Sequence, residues 1–289
     1  MRAECFDKPT NHGNMLVYVA NDGTPVSYKG NVVIEDQAEQ ITLNNELSFR
    51  NIRDFTAQHI AFVGEFTKQT RIGESGGWEA LVLPFDVQVV TNEEKGALLP
   101  FGKADFTASL PYWVAELQSD GTFAYVDAIK ANTPFIMEVP NSEEYEDMYN
   151  IKGNVTFSAE NVVVHATTSM PEPSGSNYVL VGCYEGMESG SRVYALNDEE
   201  YTADGIEYMP GGVFVSGDRD IRPFEAYVYS NSAARAPYLR ISGRVGTGLV
   251  PAVIGTTDEG WYTLQGIRLN SKPADKGVYI HGNKVVILK

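Results

Sequence analysis

Cysteine is nearly missing from this chain: Cys5 and Cys183 are the two thiols in 289 residues. Two thiols so far apart build neither a disulfide framework nor a zinc site, since both need several sulfur or nitrogen ligands at set spacings. Basic residues are scarce as well. The 22 Lys and Arg face 38 Asp and Glu, for a formal net charge of −16. A nucleic-acid partner is therefore not expected, because phosphate binding needs a basic surface. No apolar run approaches the ~20 residues of a membrane-spanning helix. No amphipathic segment of three helical turns occurs either, which argues against parallel βαβ units and their crossover helices.

Strand formers take their place. The chain carries 16 Tyr, 13 Phe and 3 Trp, and 43% of it is hydrophobic. That is enough for a sizeable core on a strand-favouring composition. The 27 Gly and 14 Pro fit many turns. Short apolar stretches recur with turn chemistry between them: residues 15–20, 31–35, 40–43, 55–66 and 78–90, the last broken at Pro84. They continue at 112–117, 122–126, 134–139, 155–157, 162–165, 178–183, 192–196, 205–209, 212–216 and 221–229. In 55–66, Ile60 and Phe62 share one face and Ala61 and Val63 the other. In 221–229, Phe224, Ala226 and Val228 alternate with Glu225, Tyr227 and Tyr229. Short helices are predicted at most at 91–96 and 142–150. The expected fold is all-β: an antiparallel, sandwich-like body of many short strands plus a small C-terminal β-hairpin domain. N-terminal strands at 1–54 lead into or join a body at 55–250, and a short β domain follows at 251–289. The Pro/Ser/Gly stretch 170–177 reads as a loop, and the Gly-rich stretch 242–260 as a linker. Thirty-nine residues are too few to enclose Trp261, Tyr262, Leu264, Ile267, Val278, Ile280, Val285, Ile287 and Leu288, so the tail is expected to dock on the body.

The final stretch, GWYTLQGIRLNSKPADKGVYIHGNKVVILK, carries Trp261 to Gly266, then Lys272-Pro273, Lys276 to Ile280 and Gly282 to Val286 in order. It resembles the short C-terminal domain of secreted and surface proteins of Bacteroidetes, whose longer versions act as sorting signals. The arginine that follows the glycine in that group is displaced here, with Ile267 after Gly266 and Arg268 next. Further pieces resemble uncharacterised β modules of large surface proteins of the same bacteria, some with leucine-rich repeats. They are Phe55-Thr56-Ala57, Gly77-Trp78 with Leu83-Pro84-Phe85, Ala131 to Phe135, and Pro223 to Tyr227. The resemblance spans residues 55–289 and implies a secreted or outer-membrane-associated location. It carries over no catalytic residue. The opening MRAECFDKPTNHGN lacks the apolar core of a signal peptide, so the chain is expected to be a fragment without one.

Chemistry is sparse. The string Gly243 to Gly248 lacks the spacing of a dinucleotide fingerprint. His12, His59, His165 and His281 are scattered without ligand spacing, and Cys183 with His165 as base is weighed against a buried strand cysteine. Acidic groups at Glu143, Glu144, Glu146 and Asp147, at Asp198, Glu199 and Glu200, and at Asp218-Arg219-Asp220 match no calcium loop. Tyr112-Trp113, Tyr227 and Tyr229 are candidates for exposed sugar-stacking rings. The rival reading makes Trp78, Trp113 and Trp261 core anchors. The sequence assigns no catalytic, cofactor-binding or metal-ligating residue. It leads to a non-catalytic scaffold or interaction module with a surface glycan or protein partner. The alternatives are a carbohydrate-binding or adhesin module and a glycan-acting hydrolase.

Overall fold

The computed structural model describes residues 13–19, 30–71, 76–105, 108–168, 177–232, 236–241, 247–251, 261–263, 268–269, 271–274, 277–281 and 284–288. Every regular element among them is a strand. In chain order these are β1 Val17–Val19, β2 Val32–Ile34, β3 Gln37–Asn44, β4 Phe55–Glu65, β5 Glu79–Leu81, β6 Val89–Asn92, β7 Gly96–Pro100 and β8 Ser109–Leu117. Next come β9 Thr122–Tyr125, β10 Phe135–Glu138, β11 Asn154–Val164, β12 Tyr178–Cys183, β13 Val193–Leu196, β14 Tyr201–Ala203, β15 Ile206–Tyr208 and β16 Val213–Ser216. The last are β17 Glu225–Ser230, β18 Tyr238–Ile241, β19 Thr247–Pro251, β20 Trp261–Thr263, β21 Arg268–Leu269, β22 Gly277–His281 and β23 Lys284–Leu288. Among the described residues no helix is long and apolar enough to cross a membrane.

The all-β class expected from the sequence is the class observed, but the sheet is mixed and not purely antiparallel. β1 lies parallel to β2, β3 to β4 and β7 to β8. Sequence reasoning tied parallel pairing to crossover helices, and the link from β3 to β4, residues 45–54, contains none. That link is anchored by Phe49, which is fully buried, stacks on Phe224 at 5.6 Å and donates its N–H to the Tyr184 carbonyl.

Neither expected short helix forms. Residues 91–96 hold the β6–β7 hairpin, where the Asn92 carboxamide oxygen accepts the Glu94 and Lys95 N–H groups at 3.1 and 3.0 Å. This side-chain mimic of a turn competes with a helix. Residues 142–150 form successive turns. The predicted strands at 155–157 and 162–165 merge into β11, which passes through Asn161 in the left-handed region (φ 51°). The stretch read as a linker at 242–260 contains β19, paired to both β18 and β9.

Two cores share one wall. The first gathers Val33, Ile41, Leu43, Ile60, Phe62 and Phe157 from β2, β3, β4 and β11, with Leu81, Val114 and Met137 from β5, β8 and β10. The second gathers Ala80, Ala115 and Ile136 from those same three strands, with Phe123, Tyr194, Leu196, Phe214, Ala226, Val228 and Leu239. Strand alternation sends successive side chains to opposite faces, so β5, β8 and β10 are buried on both. Around the second core the pairings close a ring through β5, β17, β13, β16, β18, β19, β9, β8 and β10. β12 adds to β17 and contributes Leu180. The β14–β15 hairpin covers the outer face of β16 and β18, where Tyr201 and Tyr208 meet Tyr238 at 5.7 and 5.5 Å. The last four strands form a separate sheet, β21-β20-β22-β23. The expected docking of the tail concerns side chains that, apart from Trp261, lie outside the described residues.

Candidate functional site

Three places concentrate polar or aromatic chemistry. The first is a buried ion network between β5, β13 and β17. Glu79 opens β5, Glu225 opens β17, Asp198 follows β13, and Arg219 and Arg222 lie in the loop before β17. Lys68 Nζ reaches Glu79 Oε2 at 2.5 Å and Asp198 Oδ1 at 3.4 Å. Arg219 donates from Nη1 to Glu225 Oε2 at 2.8 Å and from Nη2 to the Leu196 carbonyl at 2.7 Å. Its Nη2 also meets Glu225 Oε1, and Arg222 meets Asp198 Oδ2. Arg219 Nε lies 2.9 Å from Asp198 Oδ2, a charge contact whose N–H points off the hydrogen-bond line. Three cations thus face three carboxylates. Burial pushes the Glu79 carboxyl above the ordinary range, and the Lys68 ammonium opposes that push. Burial works against the Arg219 charge, yet Glu225 and Asp198 outweigh it and hold the guanidinium more firmly protonated.

This network absorbs Asp198 and Arg219, both noted in the sequence as members of acidic groups. Sequence reasoning missed Lys68, Glu79, Arg222 and the role of Glu225. The one available signal was a carboxylate inside an apolar run, as at Glu79 in WEALVLPF and Glu225 in PFEAYVY. A charge that a strand carries into a core must find a partner.

The second place is a surface corner built on Asp54. Its Oδ1 accepts the Ala166 N–H at 2.7 Å and its Oδ2 lies 3.0 Å from His165 Nδ1. The Ala166 N–H holds the Asp54 carboxyl below the ordinary range, burial opposes slightly, and His165 adds to the lowering. A carboxylate orienting an imidazole is two-thirds of a nucleophilic triad, but among the described residues no nucleophile is bonded to it. Thr167 is tied to the Asn51 backbone. Cys183 is half-buried on β12 beside the Glu185 and Gly186 N–H groups, and burial raises its thiol. His165 and Cys183 are not joined. The string Gly73-Glu74-Ser75-Gly76-Gly77 has nucleophile-elbow spacing, yet residues 76–78 run straight into strand β5, where the elbow requires a helix; residues 72–75 lie outside the described set. His59 makes an exposed contact with Glu160 at 3.6 Å. Cys5 and His12, like residues 243–246, lie outside the described residues, as does the side chain of His281.

Of the acidic group at 143–147, Glu143 pairs with Lys152 at 2.7 Å. Among the described residues no three His, Cys, Asp or Glu side chains converge as a metal site would require. An open groove of about 400 Å³ is lined by Tyr18, Val19, Glu35, Asp36 and Arg53. Arg53 lies over the Tyr18 ring at 4.9 Å and pairs with Asp36 at 2.9 Å.

The third place is the aromatic end of the ring. Register sets Glu138 of β10 opposite Trp113 of β8, while Tyr125 of β9 stands opposite Ala115. Cross-strand partners share a face, so Trp113, Glu138 and Tyr125 all sit on the ring side of their strands. Trp78, just before β5, packs into the second core and meets the Tyr125 ring at 6.5 Å. Phe101 lies on Trp113, with centroids 5.1 Å and planes 22° apart. Phe101 is 60% exposed and Tyr125 40%. The sequence candidates fare unevenly. Trp113 belongs to this surface, and Trp78 is a core anchor. Tyr112 is buried in the first core, where burial and then Asp127 push its phenol up to about 12. Tyr227 is buried and Tyr229 half-buried on the far side of β17. Strand parity explains the split: Tyr112 and Trp113 are neighbours and must point to opposite faces.

Compared with known protein families, curated proteins and solved structures, the chain finds no match in any of the three.

Proposed function

We propose that this chain is a non-catalytic scaffold or interaction module of a secreted or surface-exposed Bacteroidetes protein. One observation carries the non-catalytic part. The carboxylates of Glu79, Asp198 and Glu225, buried or half-buried between β5, β13 and β17, are closed into a neutral network with Lys68, Arg219 and Arg222. A glycan hydrolase needs one carboxyl that releases its proton to a leaving group and a second that acts as base or nucleophile. Carboxylates locked against cations serve instead to fix β5, β13 and β17 together. The exported location is supported by the residues of the tail, Trp261 to Gly266 and Lys276 to Ile280, and their likeness to sorting-type domains.

Turnover assays with the full chain on chromogenic glycosides and polysaccharides test the first part. No release of product is expected. Sustained release that Glu79→Gln or Glu225→Gln abolishes, with folding retained, overturns it. Antibody labelling of intact cells tests the location, and signal confined to permeabilised cells overturns that part.

A further inference from the structure

We infer that the aromatic end of the ring is a binding site for a neutral oligosaccharide, a deepening that rests on the interaction-module reading above. Four observations converge there. Phe101 covers one face of the Trp113 indole and turns its own outer face to solvent. Tyr125, on the ring side of β9, adds a second exposed ring. The rings are supported from below: Trp113 packs against the second core and Tyr125 against buried Trp78, so each is held at a fixed angle. Polar groups stand at the rim, where Lys103 and Asp127 pair at 2.5 Å with both side chains more than half exposed.

A pyranose has apolar C–H faces and a rim of hydroxyls, and this surface offers the counterpart of each. Rigid aromatic faces take up the C–H face at little entropic cost, and Lys103 and Asp127 give a donor and an acceptor for hydroxyls. Charge narrows the ligand further. Asp127 is already paired with Lys103, so the exposed rim offers no lone charge. The chain as a whole carries −16, so an anionic polysaccharide or nucleic acid is repelled at distance. An uncharged sugar meets neither obstacle.

The test is calorimetric titration of the full chain with uncharged hexasaccharides of glucose, mannose and xylose, followed in parallel by tryptophan fluorescence. At least one is expected to bind and to shift the fluorescence, since Trp113 lies under the site. Phe101→Ala and Tyr125→Ala should each weaken binding at least tenfold, a loss of about 1.4 kcal/mol, while Phe101→Tyr retains it. Ile52→Ala alters a residue that is 61% exposed and outside the site, and should leave affinity unchanged. Both ring substitutions are at exposed positions, and an unchanged thermal melt confirms that they fold. The inference is overturned if none of the sugars binds at about 10 mM, tenfold above a Kd of about 1 mM, or if binding survives both alanine variants. It is overturned equally if Phe101→Ala abolishes self-association or capture of an apolar peptide and no sugar competes; the interaction-module reading then stands. If sugars bind here and are also cleaved, this site stands and the non-catalytic reading fails.

Discussion

Ile136 and Met137 are consecutive residues of β10, both fully buried, and they lie in different cores. One strand therefore serves as the wall of both. Ile136→Ala should leave a cavity inside the ring, and Met137→Ala one in the other core, each costing about 2–5 kcal/mol. Because β5, β8 and β10 are common to both cores, damage to either should lower the stability of the whole. Urea unfolding should stay a single transition in both variants, with fluorescence and circular dichroism coincident. Two separated transitions in Ile136→Ala would show that the cores unfold as independent units.

Arg219 is the hinge of the ion network. Arg219→Met strips Glu225 of its guanidinium partner and leaves Asp198 with Lys68 and Arg222, and breaking a buried pair on one side costs about 3–5 kcal/mol. Arg222 is mostly exposed, and Arg222→Met should stay within about 1 kcal/mol of the parent, as surface pairs do. Chemical denaturation of the two variants side by side checks this. Equal losses would mean that the buried part of the network contributes no more than its rim.

The same comparison shows what a linear reading can and cannot reach. Alternation in PFEAYVY set Phe224, Ala226 and Val228 on one face; the structure puts Ala226 and Val228 in the second core, while Phe224, before β17 and at φ 62°, lies in the first. Nothing in the pattern distinguishes two cores, because period-2 alternation reports two faces and not what covers them. A strand buried on both faces, such as FIME in β10, reads merely as a short apolar run. The aromatic end was half legible. Trp113 was noted, but Phe101 and Tyr125 join it through pairings of β7, β8 and β9 that no local signal encodes. The ion network joins Lys68 to Asp198 across 130 residues, a separation at which only the folded sheet brings the charges together.

Acid should weaken the fold partly through Asp54 and Asp86. The Ala166 N–H, with His165, depresses Asp54. At Asp86 burial resists ionisation, but the Ala131 N–H and Lys130 overcome it and the carboxyl again titrates low. A carboxyl depressed in the folded state stabilises at pH above its unfolded value, and the contribution is lost as pH falls through the folded one. The window is thus below about pH 4, the ordinary aspartate range. Asp54→Asn and Asp86→Asn should each lower the melting temperature at pH 7 and flatten its fall between pH 5 and about 2.5. Glu79 acts in the opposite sense, because its raised carboxyl favours protonation in the fold. A steeper acid limb in the asparagine variants would contradict the assignment.

β19 closes the ring, and this sets where the chain can be shortened. Thr247–Pro251 pairs with β18 through Leu239↔Pro251 to Ile241↔Leu249, and with β9 through Thr247↔Phe123 and Gly248↔Thr122. Ending the chain after Ile241 removes β19 and leaves β18 and β9 each with a row of unpaired N–H and C=O groups. Such edges template pairing with other chains, and the second core loses the strand between Phe123 and Leu239. Ending it at residue 255 keeps β19 and removes only the sheet of β20 to β23. The shorter truncation product should therefore melt lower and aggregate in a concentration-dependent way, as seen by light scattering. The longer one should keep the ring closed and stay monodisperse under the same conditions. If both behave alike and both match the full chain, β19 is not a stave of the ring, and the body ends at Ile241.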